Sequence, residues 1–119
     1  MQHLPKRHSV GVAGALTLSL CACGVSAKEA ASARAKTDAA VNEAQTCVAS
    51  VPDSAASIRD IAVDYAQAAA AGLAEADGRL REREHDQAVR LLEGAQLDAA
   101  LACVHAERAT VQAKLARYP

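Results

Sequence analysis

Ala88-x-x-x-Leu92-x-x-Ala95-x-x-x-Ala99-x-x-Ala102-x-x-x-Ala106-x-x-Ala109-x-x-x-Ala113 is the stretch that decides the fold. Its small apolar residues alternate at spacings of four and three, the period of one helix face. The spacing predicts a helix from about Asp86 to about Arg117. Val89, Leu97, Leu101, Val104, Val111 and Leu115 add bulk as a second stripe. That stripe is either the other half of a core or a surface for a partner or for self-association.

Working back from this helix, Arg81 to Gln87 contains nothing apolar and reads as a solvated turn or an exposed helical segment. Before it, Ile58, Ala62, Tyr65, Ala69, Gly72, Ala76 and Leu80 form another stripe, widened by Ile61 and Leu73. Earlier still, Ala30, Ala33, Thr37, Ala40, Ala44, Cys47 and Val51 form the stripe of a helix from about Lys28 to Ala49. Pro52 disfavours helical geometry at Val51, and either Ser50 or Asp53 can cap the helix that follows. Three helices of this length joined by short turns predict an all-α, three-helix antiparallel (up-down-up) bundle over residues 28–119. Alanine at the contacts lets helix axes approach to about 8 Å. The cost is a shallow core, because each buried alanine removes little apolar area from water and the chain has no Phe or Trp.

Upstream of the bundle the chain changes character. Lys6, Arg7 and His8 form a positive segment, and Val10 to Leu20 form an apolar run of eleven positions. A bilayer core needs about 20 apolar residues, so the run is too short to span one and fits a cleaved export signal over residues 1–22. Ser19-Leu20-Cys21-Ala22-Cys23 resembles the bacterial lipobox, with small Ala22 directly before the cysteine. The resemblance implies lipid on Cys23, a short linker over residues 23–27, and attachment to a membrane by two or three acyl chains. Gly24 stands where an aspartate would favour inner-membrane retention in enteric bacteria, so the expected location is the outer membrane, facing the periplasm. A rival exit is Val25-Ser26-Ala27, a small-x-small site whose cleavage would leave a soluble periplasmic protein starting at Lys28.

Cleavage before Cys23 leaves 97 residues with 11 basic and 14 acidic side chains, a net of −3. No basic face exists to hold phosphates, and Tyr65 and Tyr118 are the only aromatics, so nucleic acid is not expected as a partner. Of the four cysteines, Cys21 leaves with the signal and Cys23 carries lipid. Cys47 and Cys103 remain as a candidate disulfide in an oxidising compartment. Register argues the other way. With turns centred near residues 52 and 84, Cys47 sits level with roughly residue 57 of the middle helix and Cys103 with roughly residue 65. About eight residues of helix is ~12 Å, beyond the ~7 Å limit for bridged Cα atoms. A second turn near Gly78 would bring the cysteines level, whereas the polar run favours a turn at Glu82 to Asp86 with free or intermolecular thiols.

Catalytic and metal chemistry finds no pattern. His85 and His105 are the only histidines beyond the signal, and Cys103-x-His105 points its side chains roughly 200° apart on a helix. Asp60, Asp64, Glu75 and Asp77 read as solvating charges facing Arg59 or Arg79. No Cys-x-x-Cys, Gly-rich phosphate loop or serine elbow occurs. Neither an enzyme nor a cofactor is expected; the alternative role, an envelope ligand binder or enzyme, would need a polar cleft that alanine-packed helices rarely leave open.

The segment Tyr65 to Leu115, with Ala88-x-x-Leu91-Leu92-x-x-Ala95-x-x-x-Ala99-x-x-Ala102-x-x-x-Ala106 at its centre, resembles small alanine-rich bacterial lipoproteins of unknown function. The resemblance implies a helical hairpin and association with outer-membrane, peptidoglycan-binding partners. It implies no catalytic residues.

Overall fold

Ser26 starts the first helix. Its hydroxyl accepts from Glu29 N at 3.0 Å, while the Glu29 carboxylate accepts from Ser26 N at 3.3 Å, a reciprocal capping box. The computed structural model describes residues 24–118, so the signal segment and Cys23 lie outside the described residues. Helix α1 runs Ala27–Ala49, a single 3-10 turn follows at Asp53–Ala55, α2 runs Ala56–Arg81 and α3 runs His85–Leu115. Among the described residues there is no strand, and the three helices pack as an all-α antiparallel bundle.

Direction is fixed by paired contacts. Thr37 meets Leu92 and Cys47 meets Cys103, so α1 and α3 run the same way. Gly72 lies against Ala95 and Tyr65 against His105, so α2 runs opposite to α3. Gly72 marks a close approach of α2 and α3. A Cβ there would stand 3.1 Å from the Cβ of Ala95, tighter than the two helices allow without parting.

All eight residues of the α3 stripe, Ala88 to Ala113, are buried. One cluster joins Val41 and Ala44 of α1, Ala66 and Ala69 of α2, and Ala99 and Ala102 of α3. A second joins Val51 and Ala55 of the connecting segment to Ala62, Ala106, Ala109 and Ala113. Leu92 and Thr37 are the largest fully buried side chains, so the interior is built almost wholly from methyl groups. Thr37 is satisfied there. Its hydroxyl donates to Ala33 O at 2.8 Å, lies 3.3 Å from Leu92 O, and accepts from Gln96 Nε2 at 2.9 Å.

Three expectations need correction. Neither Ser50 nor Asp53 caps α2: the residue before it is Ala55, without a side-chain cap. Ser50 instead donates to Thr46 O at 2.9 Å, and Asp53 accepts from Arg59 at 3.1 Å. The carboxylates also find other partners, since Asp77 faces Arg34 and Arg79 faces Glu84. The third correction concerns register. The second turn does fall in the polar run, at Glu82 to Glu84, and yet Cys47 and Cys103 are bridged with Cα atoms 5.2 Å apart. The misplaced element was the first turn. Val51 and Ala55 keep advancing over Ala106, Ala109 and Ala113 before the chain reverses. Arg34 consequently pairs with Asp77, a match whose midpoint lies between residues 55 and 56, not at 52. That shift carries Cys47 along the middle helix to the level of Cys103.

The α2–α3 turn is a Schellman motif. Glu84 N donates to Arg79 O at 2.9 Å and Arg83 N to Leu80 O at 3.1 Å, with Arg83 left-handed at φ 61°. A residue with a Cβ pays about 1–2 kcal/mol in that region. Arg83→Gly is therefore expected to stabilise the domain by about 1 kcal/mol, read as a shift in the urea midpoint at unchanged m-value.

Candidate functional site

The residues that follow Cys23, the position expected to carry lipid, are tied directly to the bundle. Val25 N donates to Asp86 Oδ1 at 2.7 Å, and Ser26 is already the cap of α1. Cys23 itself lies outside the described residues. The chain that follows it is held against the first turn of α3, so the short linker expected over residues 23–27 spans only Gly24 and Val25 before the cap.

At the other end of the chain's first helix, Cys47 and Cys103 close a loop of 56 positions. Neither thiol is therefore free as a nucleophile or metal ligand. His105, two residues on, stacks on Tyr65 with ring centroids 5.2 Å apart and planes 4° from parallel. Its Nδ1 is buried without a hydrogen-bond partner. His85 begins α3 on the opposite end of that helix, so the two histidines do not converge. Among the described residues, no group of three or more His, Cys, Asp or Glu side chains is placed to hold a metal.

One ion pair among the described residues links two helices. Arg34 Nε and Nη2 each donate to an Asp77 carboxylate oxygen at 3.1 Å, a two-pronged bridge from α1 to α2. The hydrogen bond from Arg34 holds the Asp77 carboxyl below the usual carboxylate range and raises the guanidinium in turn. Both side chains remain about one-third exposed, so the pair contributes less than about 1 kcal/mol.

Concave surface is shallow. An apolar groove between α1 and α2, about 280 Å³, is lined by Val48, Val63, Ala66 and Ala70 with Gln45 and Gln67 at its rim. A second, about 430 Å³, runs beside Cys47 between α1 and α3, with Glu107, Val111 and Lys114 on its α3 wall. Ser50 and Thr110 also line the second groove, but their hydroxyls donate to the helix carbonyls Thr46 O and Ala106 O.

The larger feature is convex. Leu97 is 63% exposed, Val104 57%, Val111 53% and Leu115 64%, while Leu101 and Val89 are half-buried. The second stripe of α3 is thus not the other half of the core. Of the two readings open for it, the core is ruled out, because alanine packing closes around Ala88 to Ala113. No helix among the described residues is long and apolar enough to cross a membrane. The chain matches no family model, no curated protein and no solved structure.

Proposed function

We propose that the chain is a lipid-anchored protein of the bacterial cell envelope, held at the outer membrane by Cys23 on the periplasmic side, with a structural or protein-interaction role and no catalysis. The observation that carries the reading is the run Leu20-Cys21-Ala22-Cys23, which ends three residues before the capping box that opens the bundle. The Cys47–Cys103 bond supports export, because disulfides persist in oxidising compartments. Cleavage after Ala27 would remove the Ser26 cap, worth about 1 kcal/mol, which favours the earlier exit. The alanine spacing, which resembles that of small lipoproteins of unknown function, fits the same reading.

A short tether gives the domain an orientation. On this reading, the contact between Val25 and Asp86 supports an orientation with the α2–α3 turn nearest the bilayer. From Ala27 to Cys47 is about 30 Å of helix, so the disulfide and the α1–α2 connection stand well out from the bilayer. Expressed in a bacterium with radiolabelled fatty acid, the wild-type chain should take up label and sediment with membranes, whereas Cys23→Ser should do neither. An unlabelled, soluble product beginning at Lys28 would overturn the reading.

A further inference from the structure

The exposed stripe on α3 has a second regularity. Leu97, Leu101, Val104, Arg108, Val111 and Leu115 follow one another at spacings of four and three, the a/d repeat of a coiled-coil seam. They lie almost opposite the buried residues Ala99, Ala102, Ala106, Ala109 and Ala113, so α3 carries two apolar faces and this bundle covers only one. Arg108 is the single break in the outer seam. Among the described residues, neither it nor its exposed neighbour Glu107 takes part in an ion pair within the chain.

We infer that this seam pairs with the same seam of a second copy, α3 alongside α3 in parallel. Charge supports that occupant. In a parallel pair Arg108, at an a position, faces its own counterpart, and each guanidinium turns out of that layer to the other copy's Glu107 at the preceding g position, so two Arg–Glu pairs offset the Arg–Arg contact. Of the remaining flanking residues, Ala100, His105, Gln112 and Lys114 place no like charges across the seam in this direction, and Glu93 meets Asp98 only at its first turn. The antiparallel alignment that closes all six layers sets Glu107 against Glu107 instead. Direction also follows from the lipid-anchored reading, on which this part of the inference rests. Two copies tethered by the same end, with α3 rising from the same bilayer, meet in parallel.

Strength follows from length. Residues 97 to 115 span about 27 Å, less than three heptads, with a charged layer near the middle. Such a seam associates weakly in dilute solution and closes when confinement to a membrane raises the effective concentration of the second copy. The inferred assembly is therefore a surface-dependent dimer.

Val111→Cys in the full-length, membrane-bound chain tests this, because a d position meets its own counterpart only in a parallel pair. Mild oxidation should give a cross-linked dimer, and adding Leu101→Asp should lower its yield about tenfold or more while the helical spectrum of the purified protein is retained. Asn42→Cys, on the exposed face of α1, is the collision control and should give no such dimer. A monomer band from Val111→Cys, or equal cross-linking in the Leu101→Asp or Asn42→Cys variants, would overturn the pairing. Fatty-acid label read on the same gel separates the two claims. A labelled monomer sinks the pairing and leaves the anchor; an unlabelled dimer sinks the anchor and leaves the pairing.

Discussion

Reduction of the Cys47–Cys103 bond is expected to lower the melting temperature of the isolated domain, residues 26–119, by about 15–30 °C. The bond closes a loop of 56 positions. In the chain-entropy account, constraining a loop of that length in the unfolded state stabilises the fold by about 4 kcal/mol. For a domain of this size each kcal/mol corresponds to about 4–8 °C. The interior offers little to compensate. Leu92 and Thr37 are its largest fully buried side chains, and a buried alanine methyl contributes less than about 1 kcal/mol where a leucine gives about 1.5–3. Circular dichroism melts with and without a phosphine reductant read the effect, and the double variant Cys47→Ala, Cys103→Ala should reproduce the reduced curve. A shift under about 5 °C would show that the helices hold themselves without the staple.

Ala99→Asp is expected to cost about 3–5 kcal/mol, enough to unfold much of the reduced domain. Ala99 is 2% exposed and lies where all three helices meet, against Val41 and Ala44 on one side and Ala66 and Ala69 on the other. No basic group belongs to that cluster, so the new carboxylate must either ionise without a partner or force the helices apart. Glu82→Ala, in the exposed α2–α3 turn, makes the contrast and should fall within about 0.5 kcal/mol of wild type. Urea denaturation of both variants measures the difference. Equal midpoints would mean that the alanine stripe is not the core.

The two variants also show which parts of the fold the residues declare and which they hide. The α3 stripe is readable because alanine recurs there with unbroken three-and-four spacing, and burial follows it residue by residue. In α1 the same reasoning selects Ala40 where the buried residue is Val41. Ala39, Ala40 and Val41 are all apolar, so periodicity cannot rank neighbours on a helix this rich in alanine. Ile61 misleads in the opposite sense: expected to widen the α2 stripe, it is 43% exposed, because alanine contacts bring the helices too close to admit it. The capping box Ser26-x-x-Glu29 has a sequence signature and sets the helix start one residue before the expected Lys28. The Schellman turn at Arg83 has none, since glycine, its usual marker, is missing.

Register failed for a different reason. Counting residues from a turn assumes that the turn reverses the chain where the helix breaks. Pro52 does break α1, but Val51 and Ala55 find apolar seats on α3 and carry the chain further before it turns. Tertiary packing set that distance, and local sequence does not encode it. The exposed seam was hidden by a similar ambiguity. Leu97, Val104, Val111 and Leu115 recur at helical spacing like the buried alanines, so the pattern leaves both a core half and a partner surface open. Their exposure in the folded chain decides between the two.

The proposed role rests on Cys23, and intact-mass spectrometry of the full-length chain, expressed in a bacterium and extracted from membranes in detergent, tests it most directly. The account predicts one species beginning at Cys23, heavier than residues 23–119 by a diacylglyceryl group, with or without a third acyl chain on its amino group. A species beginning at Lys28 with no added lipid, recovered from the soluble fraction, would contradict it.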